Sequence, residues 1–187
     1  MSPFPKLNFV TENYSKIAEI SSIISCVSNF DYILKSITEI QSLDPWLVVR
    51  RKMESINDID GAIFVEDTSL VFTALNSLPG TYIKDFVKSI GLKGLVNILS
   101  QYPDKSAKAI STIAYRKSLK SPIIFFQGTT HGNIVSPRGS SVTSFGWDSI
   151  FEEKNTGKTF AEMDHCKRTE YSHRAKAFSQ LIDYIIE

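Results

Sequence analysis

Residues 61–68 read Gly-Ala-Ile-Phe-Val-Glu-Asp-Thr, and this stretch decides the fold. Its short apolar run is typical of a strand that is buried on both faces, as in an open α/β sheet. Ligands in such sheets gather at the carboxyl ends of the strands, so we expect Glu66 and Asp67 to end a central strand beside a binding site. The two carboxylates repel each other unless a cation lies near them, and Mg²⁺ is held by a few carboxylates together with substrate phosphates. A pair of capping acids in a turn explains the same residues, and the stretch alone leaves both interpretations open.

In both directions from this stretch, strand patterns alternate with helix patterns, which predicts a mixed α/β fold. The elements expected upstream are a strand at 7–10, a helix from 13 to about 25, a strand at 32–34 and a helix from 44 to about 56. Those expected downstream are a turn at 78–80, helices at 82–89 and 92–99, strands at 109–115 and 122–126, and a last helix at 168–186.

Length and charge limit the classes of protein to which the chain can belong. Its 187 residues predict a single domain, 1–187, with room for two lobes. The 21 basic and 20 acidic side chains give a net charge of +1, which argues against the nucleic-acid backbone as the main partner. No apolar run reaches the ~20 residues of a membrane span, and the first residues lack the pattern of a secretory signal. Cys26 and Cys166 form no disulfide framework, so we expect a cytoplasmic protein without membrane contact.

The turn after the first strand carries a candidate anion site. It reads Thr11-Glu12-Asn13-Tyr14-Ser15-Lys16 and opens the first helix. The free N–H groups and the dipole at a helix N-terminus attract an anion, and a lysine there adds a point charge for a phosphate. The glycines of a Walker A loop are missing. A helix N-cap followed by a solvated lysine is the alternative interpretation.

Two segments in the last third of the chain carry further candidate binding groups. Ser144-Phe145-Gly146-Trp147-Asp148 offers two aromatic rings for stacking and a carboxylate that can accept from a ring N–H, unless the aromatics simply belong to the core. Tyr171-Ser172-His173-Arg174 lies near the start of the last predicted helix, where neighbouring side chains point in different directions. The Ser-His pair is therefore a set of hydrogen-bond donors rather than a nucleophile and its base, with a capping serine and a solvated arginine as the alternative.

The order of these motifs carries more information than any one of them. Thr-x-Asn-x-x-Lys, Val-Glu-Asp-Thr, Leu-Pro-Gly, Pro-Arg-Gly, Phe-Gly-Trp-Asp and Ser-His-Arg follow one another along the chain. In this order they resemble the inosine triphosphate pyrophosphatase family over nearly the whole chain. The resemblance implies an elongated α/β fold, with helices on the faces of a mixed sheet and two lobes separated by a nucleotide-binding cleft. It also implies hydrolysis of ITP, dITP and XTP to the monophosphate and pyrophosphate, a Mg²⁺ cofactor for which Mn²⁺ can substitute, and a homodimer.

The same resemblance implies roles for individual residues. Asp67 and Lys16 are the implied catalytic residues, with Asp67 as water activator, and Glu39 and Asp67 are the implied metal ligands. The residues implied to bind the substrate are Thr11, Asn13, Lys16, Arg51, Thr68, Lys84, Phe145, Trp147, Asp148, Arg168, Ser172, His173 and Arg174.

Three positions depart from the family pattern. Glu12 replaces a small residue of the triphosphate-binding turn, and its carboxylate must turn outward or meet the metal. Two family lysines fall on arginines here, Arg51 with Lys52 beside it and Arg168 with Lys167 beside it. Arginine keeps the charge, but its reach and its planar fork differ from those of lysine.

Donors in the base pocket predict which purines are accepted. Hypoxanthine and xanthine present an acceptor at the 6-position, where adenine presents an amino donor, so a donor such as Arg174 favours the keto bases. Two alternatives to a purine pyrophosphatase stay open from the sequence. One is a related pyrophosphatase for other modified nucleotides, and the other is a nucleotide-binding module that has lost catalysis.

Overall fold

The computed structural model describes residues 6–24, 29–140 and 146–187. Within these ranges, seven strands and five helices form a mixed α/β fold, which confirms the predicted fold class. The strands are β1 Leu7–Thr11, β2 Phe30–Leu34, β3 Ala62–Phe72, β4 Pro79–Gly80, β5 Ser106–Arg116, β6 Ile124–Ile134 and β7 Phe151–Glu153. The helices are α1 Tyr14–Ile23, α2 Pro45–Glu54, α3 Ile83–Leu99, α4 His165–Tyr171 and α5 His173–Ile186. No helix among the described residues is both long enough and apolar enough to cross a bilayer.

The strands form one sheet in the order β2-β1-β3-β5-β6-β7, with β4 paired to β3. Strand β1 runs parallel to both β2 and β3, and its register aligns Phe9 with Phe64. The turn that follows β1 therefore lies beside the part of β3 that carries Glu66 and Asp67. Strands β4 and β7 run antiparallel to their partners β3 and β6.

The chain forms two compact units. Unit 1 comprises the described residues within 1–67 together with 111–128 and 174–187, and unit 2 comprises 68–110 and the described residues within 129–173. The assignment of 1–187 to a single domain stays a prediction.

The core of unit 1 lies on two faces of β3. Phe64 packs in one apolar cluster with Phe9 and Phe178, whereas Val65 packs in another with Met53 of α2. This follows from the geometry of a strand, whose successive side chains point to opposite faces. The core of unit 2 is a separate cluster that includes Leu70, Phe72, Leu95, Trp147, Phe151 and Phe160.

Three predicted elements have clearly different boundaries in the structure. The strand predicted at 122–126 is longer, because β6 runs from Ile124 to Ile134. The central strand does not end at Glu66, because β3 continues through the acids to Phe72. The continuous last helix predicted at 168–186 is also wrong, since Ser172 has extended backbone angles and separates α4 from α5. The two helix patterns predicted at 82–89 and 92–99 are confirmed as the halves of α3, which bends at Gly91 with a φ of 67°.

Candidate active site

Glu66 and Asp67 are adjacent in β3 but face opposite sides of the strand. Glu66 shares the face of Phe64 and meets Lys16 of α1, whereas Asp67 shares the face of Val65 and meets Lys52 of α2. Each carboxylate therefore has a cation of its own, which relieves the repulsion expected from their adjacency. The interpretation of the two acids as caps in a turn is wrong, because both lie within the strand.

The Lys52 ammonium bridges the two predicted metal ligands. Its Nζ lies 2.6 Å from Oδ1 of Asp67 and 2.9 Å from Oε1 of Glu39, and its side chain is 5% exposed. Burial alone would lower the pKa of Lys52, but the two carboxylates raise it above its usual value, so the group stays charged. The metal that the resemblance implies for Glu39 and Asp67 stays a prediction. The structure brings the two carboxylates to one ammonium, that of Lys52, to which the sequence assigned no role.

The donor set around Asp67 fits Mg²⁺. Oδ2 of Asp67 is buried and has no hydrogen-bond partner among the described residues, so this carboxylate has an oxygen left for a further ligand. Carboxylate oxygens are the protein ligands that Mg²⁺ prefers, and Mg²⁺ commonly takes one or two of them with substrate phosphates. The part of the chain that the structure describes holds no cluster of three or more acidic, histidine or cysteine side chains suited to a metal. A site of two carboxylates completed by phosphate oxygens is compatible with that finding.

The turn after β1 is a helix N-cap with a paired lysine. Oδ1 of Asn13 accepts from the backbone N–H groups of Ser15 and Lys16, at 3.0 and 3.1 Å, and Thr11 Oγ1 accepts from Asn13 N–H at 3.1 Å. The predicted cap is thus confirmed, but Lys16 is not solvated, because its Nζ lies 2.6 Å from Oε2 of Glu66. Glu12 is exposed, so its carboxylate turns outward, which is one of the two arrangements expected for it.

Arg174 shares the buried Glu66 carboxylate with Lys16. Its Nε lies 3.5 Å from Oε1 of Glu66, and its Nη1 donates to Oε2 of Glu19 on α1. Ser111 of β5 donates to the same Glu66 oxygen at 2.8 Å. Arg174 therefore belongs to a buried ionic network and is not the solvated arginine of the alternative interpretation.

Unit 2 gathers the aromatic groups that sequence reasoning assigned to the base. Trp147 is buried, and its ring centroid lies 5.5 Å from that of Phe151 and 5.6 Å from that of His173. His173 in turn stacks on Phe160 with an interplanar angle of 17°. The expectation that Trp147 belongs to the core is confirmed, and Phe145 lies outside the described residues.

An ion pair accompanies this aromatic cluster. Nη1 of Arg168 lies 2.5 Å from Oδ2 of the buried Asp148, and the guanidinium sits 5.9 Å from the Phe160 ring centroid. Ser172 is buried between α4 and α5, where it caps α4 through its backbone N–H. The structure thus brings together five of the predicted base-side residues, which are Trp147, Asp148, Arg168, Ser172 and His173.

Three other predicted substrate residues stand apart from these groups. Arg51 is exposed and pairs with Glu54, and Lys84 is exposed on the first turn of α3. Thr68 lies half-buried in β3 on the unit 2 side of the boundary. Their roles stay predictions, and Lys52 rather than Arg51 is the basic residue of α2 that contacts Glu39 and Asp67.

Simple periodicity could have identified the residues that were missed. Val48, Val49 and Met53 define the buried face of α2, and Lys52 falls among them around the helix. Arg51, although three residues after Val48, lies beyond the edge of that face. Likewise Glu66 lies two residues after Phe64 in a strand and shares its buried face.

Comparison with known proteins shows which family and which solved structures this chain is similar to. The model of the Ham1 family matches residues 7–184. The inosine triphosphate pyrophosphatase of Scheffersomyces stipitis is 41% identical over 96% of this chain and 97% of its own length. The protein of that name from Mycosarcoma maydis is 42% identical over 97% of this chain and 95% of its own length. The solved structure of a HAM1 protein from Coxiella burnetii shares the fold, with a TM-score of 0.75 at 24% identity over 95% of this chain and 98% of that one.

Proposed function

The chain belongs to the Ham1 family, and we propose that it hydrolyses non-standard purine nucleoside triphosphates to the nucleoside monophosphate and pyrophosphate. Membership confirms the family resemblance found in the sequence. ITP as a substrate is supported by the names of relatives that are about 40% identical over nearly the full chain. We include dITP and XTP because they present the same keto group at the 6-position of the base. The enzyme is a hydrolase that clears deaminated purines from the nucleotide pool.

The observation that carries the mechanism is the buried, unpartnered Oδ2 of Asp67. A carboxylate oxygen in this state can accept a proton from a water molecule. The water oxygen then bonds to the α-phosphorus, the bond from that phosphorus to the α–β bridging oxygen breaks, and pyrophosphate leaves. Lys52 holds the other oxygen of Asp67 at 2.6 Å and so fixes the orientation of the carboxylate. No covalent intermediate with the protein is required, and the rate comes from positioning and charge stabilisation.

Basic side chains neutralise the triphosphate in this mechanism. Lys16 stands at the N-terminus of α1, where the helix dipole also favours an anion. Its ammonium is held by Glu66 rather than left mobile, so it is oriented before the substrate arrives. Thr11 and Asn13 shape the same turn, and Lys84 adds an exposed ammonium.

Mg²⁺ is the proposed cofactor, with Mn²⁺ able to substitute, and Glu39 and Asp67 are the residues that would hold it. When bound, such an ion neutralises phosphate charge and stabilises the leaving pyrophosphate. The support for this assignment is the oxygen donor set of the two carboxylates, which already share the Lys52 cation through Oδ1 of Asp67 and Oε1 of Glu39.

Unit 2 supplies the groups proposed for the purine base. His173 packs against the rings of both Trp147 and Phe160, which restricts its plane, and Asp148 is oriented by Arg168. A pocket with fixed donors accepts the 6-keto group of hypoxanthine and opposes the 6-amino group of adenine. Each buried polar group left unpaired costs about 1–3 kcal/mol, or roughly 5- to 150-fold in rate.

We also propose that the protein acts as a cytoplasmic homodimer. The family resemblance supports the dimer, and a chain with two cysteines and no disulfide framework supports a reducing compartment. Light scattering of the purified protein is expected to give twice the mass of one chain.

A pyrophosphate-release assay with ITP, XTP, dUTP, GTP and ATP in the presence of Mg²⁺ tests the proposed function. Adding inorganic pyrophosphatase to half of each sample separates pyrophosphate from orthophosphate as the direct product. We expect pyrophosphate from ITP and XTP, with ATP slower by at least about tenfold. Equal rates with ATP and ITP would show that the pocket does not select the 6-keto group. A preference for dUTP would favour the alternative of a pyrophosphatase for other modified nucleotides. Direct release of orthophosphate would show that the bond broken is not the one between the α-phosphorus and the α–β bridging oxygen.

A further inference from the structure

Unit 1 contains a chain of four charged side chains with alternating sign. Lys16 Nζ lies 2.6 Å from Oε2 of Glu66, and Arg174 Nε lies 3.5 Å from the other oxygen of that carboxylate. Arg174 Nη1 then donates to Oε2 of Glu19. The order is therefore Lys16, Glu66, Arg174 and Glu19, and we refer to these four residues as the charge chain.

The fold brings the charge chain together from three elements. Lys16 and Glu19 are three residues apart on α1, a spacing that puts them on the same side of the helix. Glu66 projects from β3 on the face that α1 covers, and Arg174 stands in the first turn of α5. The chain thus connects the turn after β1 to the beginning of the last helix.

Burial makes the members of the charge chain depend on one another. The side chain of Glu66 is fully buried, and that of Arg174 is 3% exposed. Two cations face this one carboxylate, with Lys16 Nζ at 2.6 Å from Oε2 and Arg174 Nε at 3.5 Å from Oε1. Two cations that share one buried carboxylate compete for it, because water cannot screen or replace their interactions.

We propose that Glu66 is a positioning residue that couples the Lys16 ammonium to the Arg174 guanidinium. This inference rests on the proposed function, in which Lys16 meets the triphosphate, and on the role of base donor that the family resemblance implies for Arg174. A contact that draws Arg174 away from Glu66 leaves Lys16 as the main partner of that carboxylate, and a contact that strengthens the Arg174–Glu66 pair releases Lys16 toward the phosphates. Binding of the base at one end of the substrate thereby changes how strongly Lys16 binds the phosphates at the other end.

Pyrophosphate is the probe for this coupling, because it contains no base. Its affinity in the presence of Mg²⁺ can be measured by calorimetry for Arg174→Ala in two backgrounds, the natural Glu66 and Glu66→Gln. With Glu66 present, we expect Arg174→Ala to weaken pyrophosphate binding by about fivefold or more, since coupling between sites is typically 5- to 150-fold. In the Glu66→Gln background the same change is expected to shift the affinity by less than about twofold.

A second variant keeps the test decisive if Arg174→Ala fails to fold. Glu19→Gln removes one charged partner of Arg174, so Arg174 pairs more closely with Glu66 and Lys16 is released. Binding of pyrophosphate should then become stronger by about threefold or more, and the gain should shrink in the Glu66→Gln background. Glu12→Gln is the matched control, because it removes a carboxylate at the same helix end outside the charge chain. Its effect should be the same in both backgrounds.

The outcomes separate failure of the coupling from failure of the proposed function. Equal effects of Arg174→Ala with and without the Glu66 charge would overturn the coupling, since they would indicate a direct or purely structural role for Arg174. Thermal melts of each variant establish that the comparison is made on folded protein. If the unaltered protein releases pyrophosphate from ITP and the cycle is additive, only the coupling is wrong. If the unaltered protein neither binds pyrophosphate nor hydrolyses ITP, the proposed function itself has failed.

Discussion

The Lys52 ammonium lies 2.6 Å from Oδ1 of Asp67, the carboxylate that the proposed mechanism uses as its base. The same ammonium lies 2.9 Å from Glu39, so a side chain of the protein provides a cation between the two proposed metal ligands. A buried lysine in this position does two things. It keeps the carboxylates together without a metal, and it competes with a divalent cation for their oxygens.

Lys52→Met is therefore expected to strengthen binding of a divalent cation to the nucleotide-free protein. Without the ammonium, Glu39 and Asp67 are left with uncompensated negative charge, and a cation restores the balance. We expect Mn²⁺, measured by electron paramagnetic resonance, to bind about tenfold more tightly, which is ~1.4 kcal/mol. Turnover of ITP should fall in the same variant, because Asp67 loses the group that orients it.

Arg51→Met is the matched control for this experiment. Arg51 precedes Lys52 in α2 but is exposed and pairs with Glu54. We expect its replacement to leave the Mn²⁺ affinity within about twofold, since exposed pairs contribute ~0–1 kcal/mol. A large effect of Arg51→Met with no effect of Lys52→Met would instead indicate that Arg51 takes the place of the family lysine, as the resemblance implies.

Replacing the proposed base tests catalysis separately from binding. Asp67→Asn keeps the shape of the side chain but cannot accept the proton of the attacking water, so kcat for ITP should fall by about 10²- to 10⁴-fold. Asp58→Asn provides the control, because Asp58 is an exposed carboxylate of the same unit that pairs with Lys35. If Asp67→Asn retains both turnover and affinity, Asp67 is not the base. If the unaltered protein binds ITP without turnover, the inactive-module alternative is correct.

The fold class and most elements of unit 1 could be predicted from the apolar patterns and the capping residues of the sequence. Asn13 and Asp44 cap α1 and α2 as predicted, because capping depends on a side chain and the backbone a few residues away. The end of β3 was missed for a physical reason. Two acids after an apolar run end a strand only if nothing neutralises them, and here their cations come from distant elements.

The sequence predicted which types of residue form the candidate site, but it did not predict which of these residues contact one another. Glu39 and Asp67 were expected to hold a divalent metal, which stays a prediction. In the structure the two carboxylates share the Lys52 ammonium, and Lys52 rather than its neighbour Arg51 belongs to the buried face of α2. The break at Ser172 could not be anticipated, because α4 and α5 have compatible helical patterns and the interruption depends on tertiary contacts. One such contact is the hydrogen bond from Thr130 to the Tyr171 carbonyl.

The buried Glu66 carboxyl predicts how stability responds to acid. Burial alone would raise the pKa of Glu66, but Lys16 and Arg174 hold it well below its usual range. In the unfolded chain the pKa of a glutamate is ~4.3, so the pKa of Glu66 is lower in the folded state than in the unfolded state. The stabilisation is therefore fully present above about pH 5 and is lost as the pH falls below ~4.3 toward the folded-state pKa.

Urea unfolding of Glu66→Gln between pH 3 and 7 measures this contribution. The variant should lose less stability on acidification, with its acid limb flatter by up to ~1.4 kcal/mol per pH unit, the value for one proton. Glu54→Gln, at an exposed glutamate, should leave the slope unchanged. Parallel acid limbs for the unaltered protein and Glu66→Gln would show that Glu66 does not contribute to acid stability.

The Arg168–Asp148 pair predicts different outcomes for two substitutions at one position. Arg168→Ala takes the guanidinium away from a buried carboxylate that it contacts at 2.5 Å, so we expect a loss of ~1–3 kcal/mol in unfolding free energy. Arg168→Lys keeps the charge but loses the planar fork and the contact with the Phe160 ring, so its loss should be smaller. Because Asp148 belongs to the proposed base site, KM for ITP should rise more than kcat falls in the alanine variant.

Lys167→Ala separates this role from a general effect of positive charge. Lys167 is exposed next to Arg168 on α4, and its removal should change stability by less than ~0.5 kcal/mol and leave KM unaltered. If Lys167→Ala raises KM as much as Arg168→Ala does, the region contributes only diffuse charge. If Arg168→Lys instead matches the unaltered enzyme while Arg168→Ala does not, an ammonium is sufficient at this position. The arginine would then be an equivalent replacement for the lysine that the family pattern leads one to expect.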